Sequence, residues 1–210
     1  KQGCIYGKAK VYENAFVYMN ARVYGNAKVH GDSMITEAAE VYGNAEIQGK
    51  CFVGGHAKVY GHAQLFNHVE VSGRAKVYEY ACLYENVQII NHAEIFGKAQ
   101  IDGNARIYDN AKVYGDANVF GDTCVCGKAI VCGETKIDKT ENLLVIGPIG
   151  SRNDFTTFAK SNNKVVYVTC GCFHDTIDEF EKKVLKTYTE DVIYRKQYIS
   201  IIECVKTLFN

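Results

Sequence analysis

At 210 residues and 47% hydrophobic content, the chain has enough apolar material for a packed core and room for one ordinary domain or two small ones. Twenty-four basic residues balance twenty-four acidic ones, so the bulk positive field of a general nucleic-acid or acidic-membrane binder is missing. No apolar run reaches the ~18 residues that span a bilayer, and the N-terminus carries neither a basic nor an apolar signal region, which reads as a soluble cytoplasmic protein.

Every sixth residue from Ile5 to Ile137 is Val, Ile or Leu, for 23 consecutive hexads. Two places before most of them sits Ala, as at Ala9, Ala15, Ala21, Ala27, Ala45 and Ala57. Period-two alternation on a short strand sends both residues to the same side, so this pair faces inward and its neighbours face out. Gly-Asn pairs such as Gly25-Asn26 and Gly43-Asn44 supply the backbone freedom of a corner. A strict period of six is the signature of a parallel β-helix in which three hexads close one triangular coil. The 23 hexads give seven to eight coils, and a prism on the order of 37 Å long.

Folding the numbering modulo 18 makes one face unlike the others. Its outward column reads Tyr6, Tyr24, Tyr42, Tyr60, Tyr78, Phe96, Tyr114, and then Cys132. Beside it runs a charged column of mixed sign, Arg22, Glu40, Lys58, Lys76, Glu94 and Lys112. The ladder either shields its own sheet or serves as a contact surface, since contiguous exposed aromatic area marks interfaces. Self-association into a homotrimer is the first interface reading, and docking of the C-terminal domain or of another protein is the second.

His56, His62 and His68 lie six apart and fall on three different corners of a coil, where they substitute for the usual Asn. His56, Arg74 and His92 are eighteen apart and stack along one corner as a candidate ligand-binding column. Two His two coils apart, with an Arg between, are too far apart to share a zinc ion. Cys124, Cys126, Cys132, Cys170 and Cys172 lack zinc-knuckle spacing, and since nine is an odd number and the repeat needs no staples, the chain's nine cysteines read as reduced thiols. No metal, cofactor or catalytic residue is expected.

The hexads stop near Thr140, placing a domain boundary between residues 1–140 and 141–210. Leu143-Leu144-Val145-Ile146 reads as a buried strand halted by Gly147-Pro148. Residues 154–158 and 164–169 flank Ser161-Asn162-Asn163 as a hairpin, and Thr176-Ile177-Asp178-Glu179 is a capping box opening a helix with Phe180, Val184 and Tyr188 on one face. A last helix spans about Val192 to Phe209. The expected fold is therefore an all-β parallel β-helix followed by a small α+β C-terminal domain of three strands and two helices. Within that domain, Ser151, Arg152, Asn153 and Asp154 share one Gly-rich loop, a pattern that holds phosphate through backbone N–H groups and a bidentate guanidinium. No Walker-type lysine follows, which argues against an NTPase.

Residues 3–140 resemble the hexapeptide-repeat, left-handed β-helix family, which implies left-handed coils and, commonly, a trimer. The family's acyltransferases use a His base and bind acyl-coenzyme A beside a projecting loop, yet the register here never breaks between Gly3 and Thr140. Its zinc anhydrases assemble three His across an interface, and no third His accompanies His56 and His92. The C-terminal segment, with Cys170-Gly171-Cys172-Phe173 and Asp178-Glu179-Phe180-Glu181, resembles a small module of hypothetical proteins from phages and Gram-positive bacteria, implying a phage or mobile-element setting inside a bacterium or infected host cell. The expected function is a non-catalytic oligomeric scaffold presenting a C-terminal binding module for a small phosphate-bearing ligand or a protein partner, with no membrane and no nucleic acid. The alternatives are a sponge for a nucleotide signal of host defence and an acyl-coenzyme A-dependent acyltransferase.

Overall fold

A computed structural model describes residues 3–209. Strands β1 (Cys4–Ile5) to β23 (Lys136–Ile137) form three parallel sheets of eight, eight and seven strands, each strand pairing with the one eighteen residues on, as Cys4 with Arg22 and Ile5 with Val23. This is the triangular solenoid of about seven coils that the hexads predict. Each aliphatic position from Val23 to Ile137 is buried against Ala, Val, Cys, Ser or Thr two places earlier. The first coil differs because nothing packs below it: Ile5 is 46% exposed, and Ala9, Val11 and Ala15 are only half-buried.

The first corner residue of each hexad has positive φ, which Gly accepts without strain. Five acids stand there instead, and at four of them, Glu85 being the exception, the side chain supplies a compensating bond. Glu13, Glu79 and Asp109 (φ 57°, 59° and 60°) accept the N–H of the residue stacked above, Gly31 at 2.7 Å, Gly97 at 2.9 Å and Gly127 at 3.2 Å. Glu37 does the same for Gly55.

At the far end the solenoid runs out of partners. Inside the prism, the N–H just before each aliphatic position donates to a carbonyl one coil on, as Lys112 to Ala129 and Asn118 to Thr135, both at 2.9 Å. Cys124, Ile130 and Lys136 are the last such residues on the three sheets. Their N–H groups are met by three hydroxyls: Thr140 Oγ1 at 2.8 Å, Thr157 Oγ1 at 2.9 Å and Ser161 Oγ at 3.0 Å. One hydroxyl thus closes each face, and Leu143, Val145 and Ala159 pack on the apolar end between them.

These residues belong to a four-stranded antiparallel sheet in sequential order, β24 (Leu143–Ile149), β25 (Asp154–Lys160), β26 (Val166–Cys170) and β27 (Phe173–Thr176). Alternation along β25 turns Thr157 and Ala159 to the solenoid and Phe158 to a second core with α1 (Ile177–Thr187) and α2 (Val192–Leu208). Phe180, Val184, Tyr198, Ile202 and Val205 fill that core, and Thr176 caps α1 by accepting from the Glu179 N–H. Two sequence expectations need correction. The domain has four strands, not three, because Phe173-His174-Asp175-Thr176 also pairs with β26. The first strand also continues through Gly147-Pro148 to Ile149, absorbing the pair in a register shift between Ile146 and Ile149.

Candidate functional site

Along the solenoid, the seven aromatics from Tyr6 to Tyr114 form one continuous stack. Centroids step by 4.7–4.9 Å with ring planes within 10° of parallel. The spacing is that of the coils, so the sheet itself dictates the stacking. The charged column beside it pairs internally: Arg22 and Lys58 reach Glu40 at 2.8 and 3.5 Å, and Lys76 and Lys112 reach Glu94 at 2.9 and 3.3 Å. Tyr24 donates to Glu40 Oε2 at 3.0 Å. Burial, then that bond, pushes the Tyr24 hydroxyl up to about 12, and burial lifts Tyr78 to about 12 as well. Burial also works to raise Glu40, but the Tyr24 bond and the Lys58 and Arg22 charges outweigh it and hold the carboxyl below its usual value. The ladder is therefore neutral at physiological pH, flanked by four cations and two anions.

The stack ends on a cluster the sequence did not connect. Cys132, 2% exposed, lies 3.2 Å from His174 Nδ1 and 3.5 Å from Thr169 Oγ1, and Thr169 is 3.1 Å from the same nitrogen. Burial holds the His174 imidazole below its usual range. A Cβ at residue 133 would strike His174 Nε2, so Gly133 makes room for the ring. A Cys beside a His is the pairing of an activated nucleophile. Here the thiol is sealed between the two domains, and the cluster acts as a polar pin across their junction.

His56, Arg74 and His92 do share one corner, each exposed, their backbone N–H groups bonding one coil on to Gly73, Asn91 and Asp109. Among the described residues, no side-chain hydrogen bond or ion pair joins them, and none of them lines the cavity that Arg152 lines.

The turn at residues 150–153, between β24 and β25, is committed more heavily to its own domain than a phosphate cradle would be. The Gly150 N–H donates to Gln197 Oε1 at 3.0 Å, Ser151 Oγ lies 3.0 Å from the Tyr188 hydroxyl, and the Asn153 N–H donates to the Gly150 carbonyl at 3.1 Å. Of the four residues expected to bind ligand, Arg152 and Asp154 line a cavity of about 140 Å³, and Ser151 and Asn153 do not. The cavity opens between this loop, the Cys170-Gly171-Cys172 turn and the two helices, with Ile149, Phe173, Phe180, Val184 and Tyr198 in its wall. Lys183 also borders it. Gly171 (φ 60°) lies under the Arg152 guanidinium, and a Cβ there would sit 2.7 Å from Nη1. Sequence reasoning missed Lys183, which is separated from Arg152 by three elements. Of the wall, the sequence showed Phe180, Val184 and Tyr188 only as one helix face.

Among the described residues, no group of three or more His, Cys, Asp or Glu is placed to hold a metal ion, and the nine cysteines are unpaired in disulfides. No described helix is long and apolar enough to cross a membrane. Comparison with protein-family models, curated proteins and solved structures finds no match.

Proposed function

We propose that the protein is a non-catalytic oligomeric scaffold, a homotrimer built on the aromatic face, that presents its C-terminal domain as a binding module. The observation that carries this reading is where accessible chemistry lies. The solenoid coils are bare, joined by tight corners, and the Cys–His pair is sealed. The cavity of the C-terminal domain, by contrast, combines an apolar wall with two cations that form no ion pair among the described residues. The aromatic face supports self-association because its partly exposed neutral rings run along the prism beside both signs of charge, an aromatic strip with a charged margin of the kind interfaces use.

Solution mass tests the assembly. A trimer is expected, and Tyr60→Glu should dissociate it while leaving the β-sheet circular dichroism intact. A strict monomer at micromolar concentration would remove the trimer. Saturable acyl transfer abolished by His92→Ala would replace the non-catalytic reading with an enzymatic one.

A further inference from the structure

We infer that the cavity beside Arg152 binds a small monocarboxylate carrying one ring-sized apolar group, with Arg152 and Lys183 holding the carboxylate at its mouth. This rests on the reading of the C-terminal domain as a binding module and names what the module takes.

Size comes first. A cavity of about 140 Å³ is close to the ~150 Å³ hollow that accepts benzene in an engineered core. It therefore suits one phenyl ring or one branched aliphatic group, and a dinucleotide is far too large. The wall agrees, because Ile149, Phe173, Phe180, Val184 and Tyr198 offer apolar surface and ring edges. The ring hydroxyls are turned to protein partners: Tyr188 faces Ser151 Oγ at 3.0 Å, and Tyr198 lies 3.7 Å from Cys170 Sγ. An apolar guest meets few unsatisfied polar groups there.

Charge sets the rest of the ligand. Arg152 and Lys183 border the cavity and make no ion pair among the described residues, although Lys182, the next residue, pairs with Glu179 at 2.6 Å. Asp154 is the acid at the same mouth, and its Oδ1 accepts from its own neighbour, the Phe155 N–H, at 2.8 Å. Two cations and one anion leave a single positive charge, which matches a monoanion better than a phosphate dianion. The backbone N–H that a phosphate would need at Gly150 is already taken by Gln197. The guanidinium lies over Gly171 at the mouth with no protein hydrogen bond or ion pair among the described residues, so its planar fork is free to meet a carboxylate with two parallel bonds. The same chemistry has two sources, a free aromatic or branched-chain acid and the C-terminal residue of a peptide.

The test is calorimetric titration of the full chain with 3-phenylpropanoate, its neutral amide, and a tetrapeptide ending in Phe with a free or an amidated terminus. The acid is expected to bind once per chain and the amide at least tenfold more weakly. Arg152→Gln and Lys183→Gln should each weaken the acid about tenfold and leave the amide unchanged, and Asp154→Asn should tighten the acid. Both substituted cations are exposed, and an unchanged melting temperature confirms that the fold persists. A free-terminus peptide binding better than the acid identifies the source as chain termini, and the reverse identifies a small metabolite. Equal binding of acid and amide, or indifference to Arg152→Gln, overturns the inference. A nucleotide that binds through Arg152 while every carboxylate is silent overturns the ligand class and leaves the binding module standing. Silence from all probes overturns both.

Discussion

Thr157→Val removes one acceptor from the end of one sheet and almost nothing else. Valine keeps the branched shape at a position buried to 2% exposure, so packing against the last coil is preserved. What disappears is the hydroxyl that accepts the Ile130 N–H at 2.9 Å. A buried donor left without a partner costs about 1–3 kcal/mol. Ile130 is half-buried, so some water reaches it, and the expected loss is about 1–2 kcal/mol. The direct assay is hydrogen exchange at the Ile130 amide, which should quicken by roughly five- to thirtyfold, with a matching fall in the urea midpoint. Thr157→Ser supplies the control: it keeps the hydroxyl, loses one methyl worth about 0.8 kcal/mol, and should leave the Ile130 amide as protected as before. If Thr157→Val changes stability by less than about 0.3 kcal/mol and Ile130 exchanges at its original rate, hydroxyl closure of the solenoid end is wrong.

The corner acids make a second prediction. Glu79→Ala keeps the positive φ and loses the bond to Gly97, so it should destabilise by about 0.5–1.5 kcal/mol, whereas Glu79→Gly relieves the left-handed conformation, worth about 1–2 kcal/mol, and should be close to neutral or better by urea denaturation. The aromatic ladder makes the third. Tyr24 and Tyr78 are pushed from 10.0 to about 12 in the folded chain, so their contribution is fully present below pH 10 and is lost as pH rises towards 12, when the unfolded chain ionises first. Phenolate absorbance should show a late-titrating group of tyrosines, and stability should decline over that window, with Tyr78→Phe blunting both. Ionisation of every tyrosine near pH 10 without loss of structure would contradict the burial of the ladder.

The solenoid was legible because its information is periodic. A single aliphatic residue at each sixth place fixes strand, corner and coil together, and the modulo-18 register then puts Tyr6 beneath Tyr24 without further input. What escaped was aperiodic and distant. Thr157 in a strand and Ser161 in the hairpin loop after it carry no local mark until the Ile130 and Lys136 N–H groups lack a next coil. His174 and Cys132 are 42 residues apart, and the strand joining His174 to the sheet is short and polar. The candidate site was half visible. Arg152 and Asp154 stood out because a Gly-rich loop with mixed charge is locally odd, while Lys183 on a helix rich in charges carried no mark. Ser151 looked available for a ligand because nothing local reveals that Tyr188 would come to meet it. His56, Arg74 and His92 show the opposite error, since a column inferred correctly from spacing brought no side-chain interaction with it.

The alternating charges beside the tyrosines carry a consequence for how the chain finds its register. The interior is Val, Ile or Leu over Ala at most steps, with only a few exceptions such as Ser33, Cys51 and Thr123, so it tells one coil from the next only weakly. Looping out the coil of Glu40 would set Arg22 directly over Lys58, and looping out that of Glu94 would set Lys76 over Lys112, stacking like charges one coil apart. Those slips are marked as errors on the surface. The native column has one like-charged step, Lys58 over Lys76. Excising the coil of either lysine leaves a strictly alternating series, Arg22, Glu40, one lysine, Glu94, Lys112. That seam is where the prism can be shortened by eighteen residues with its electrostatic order improved, and it is the natural place to look for a gain or loss of whole coils.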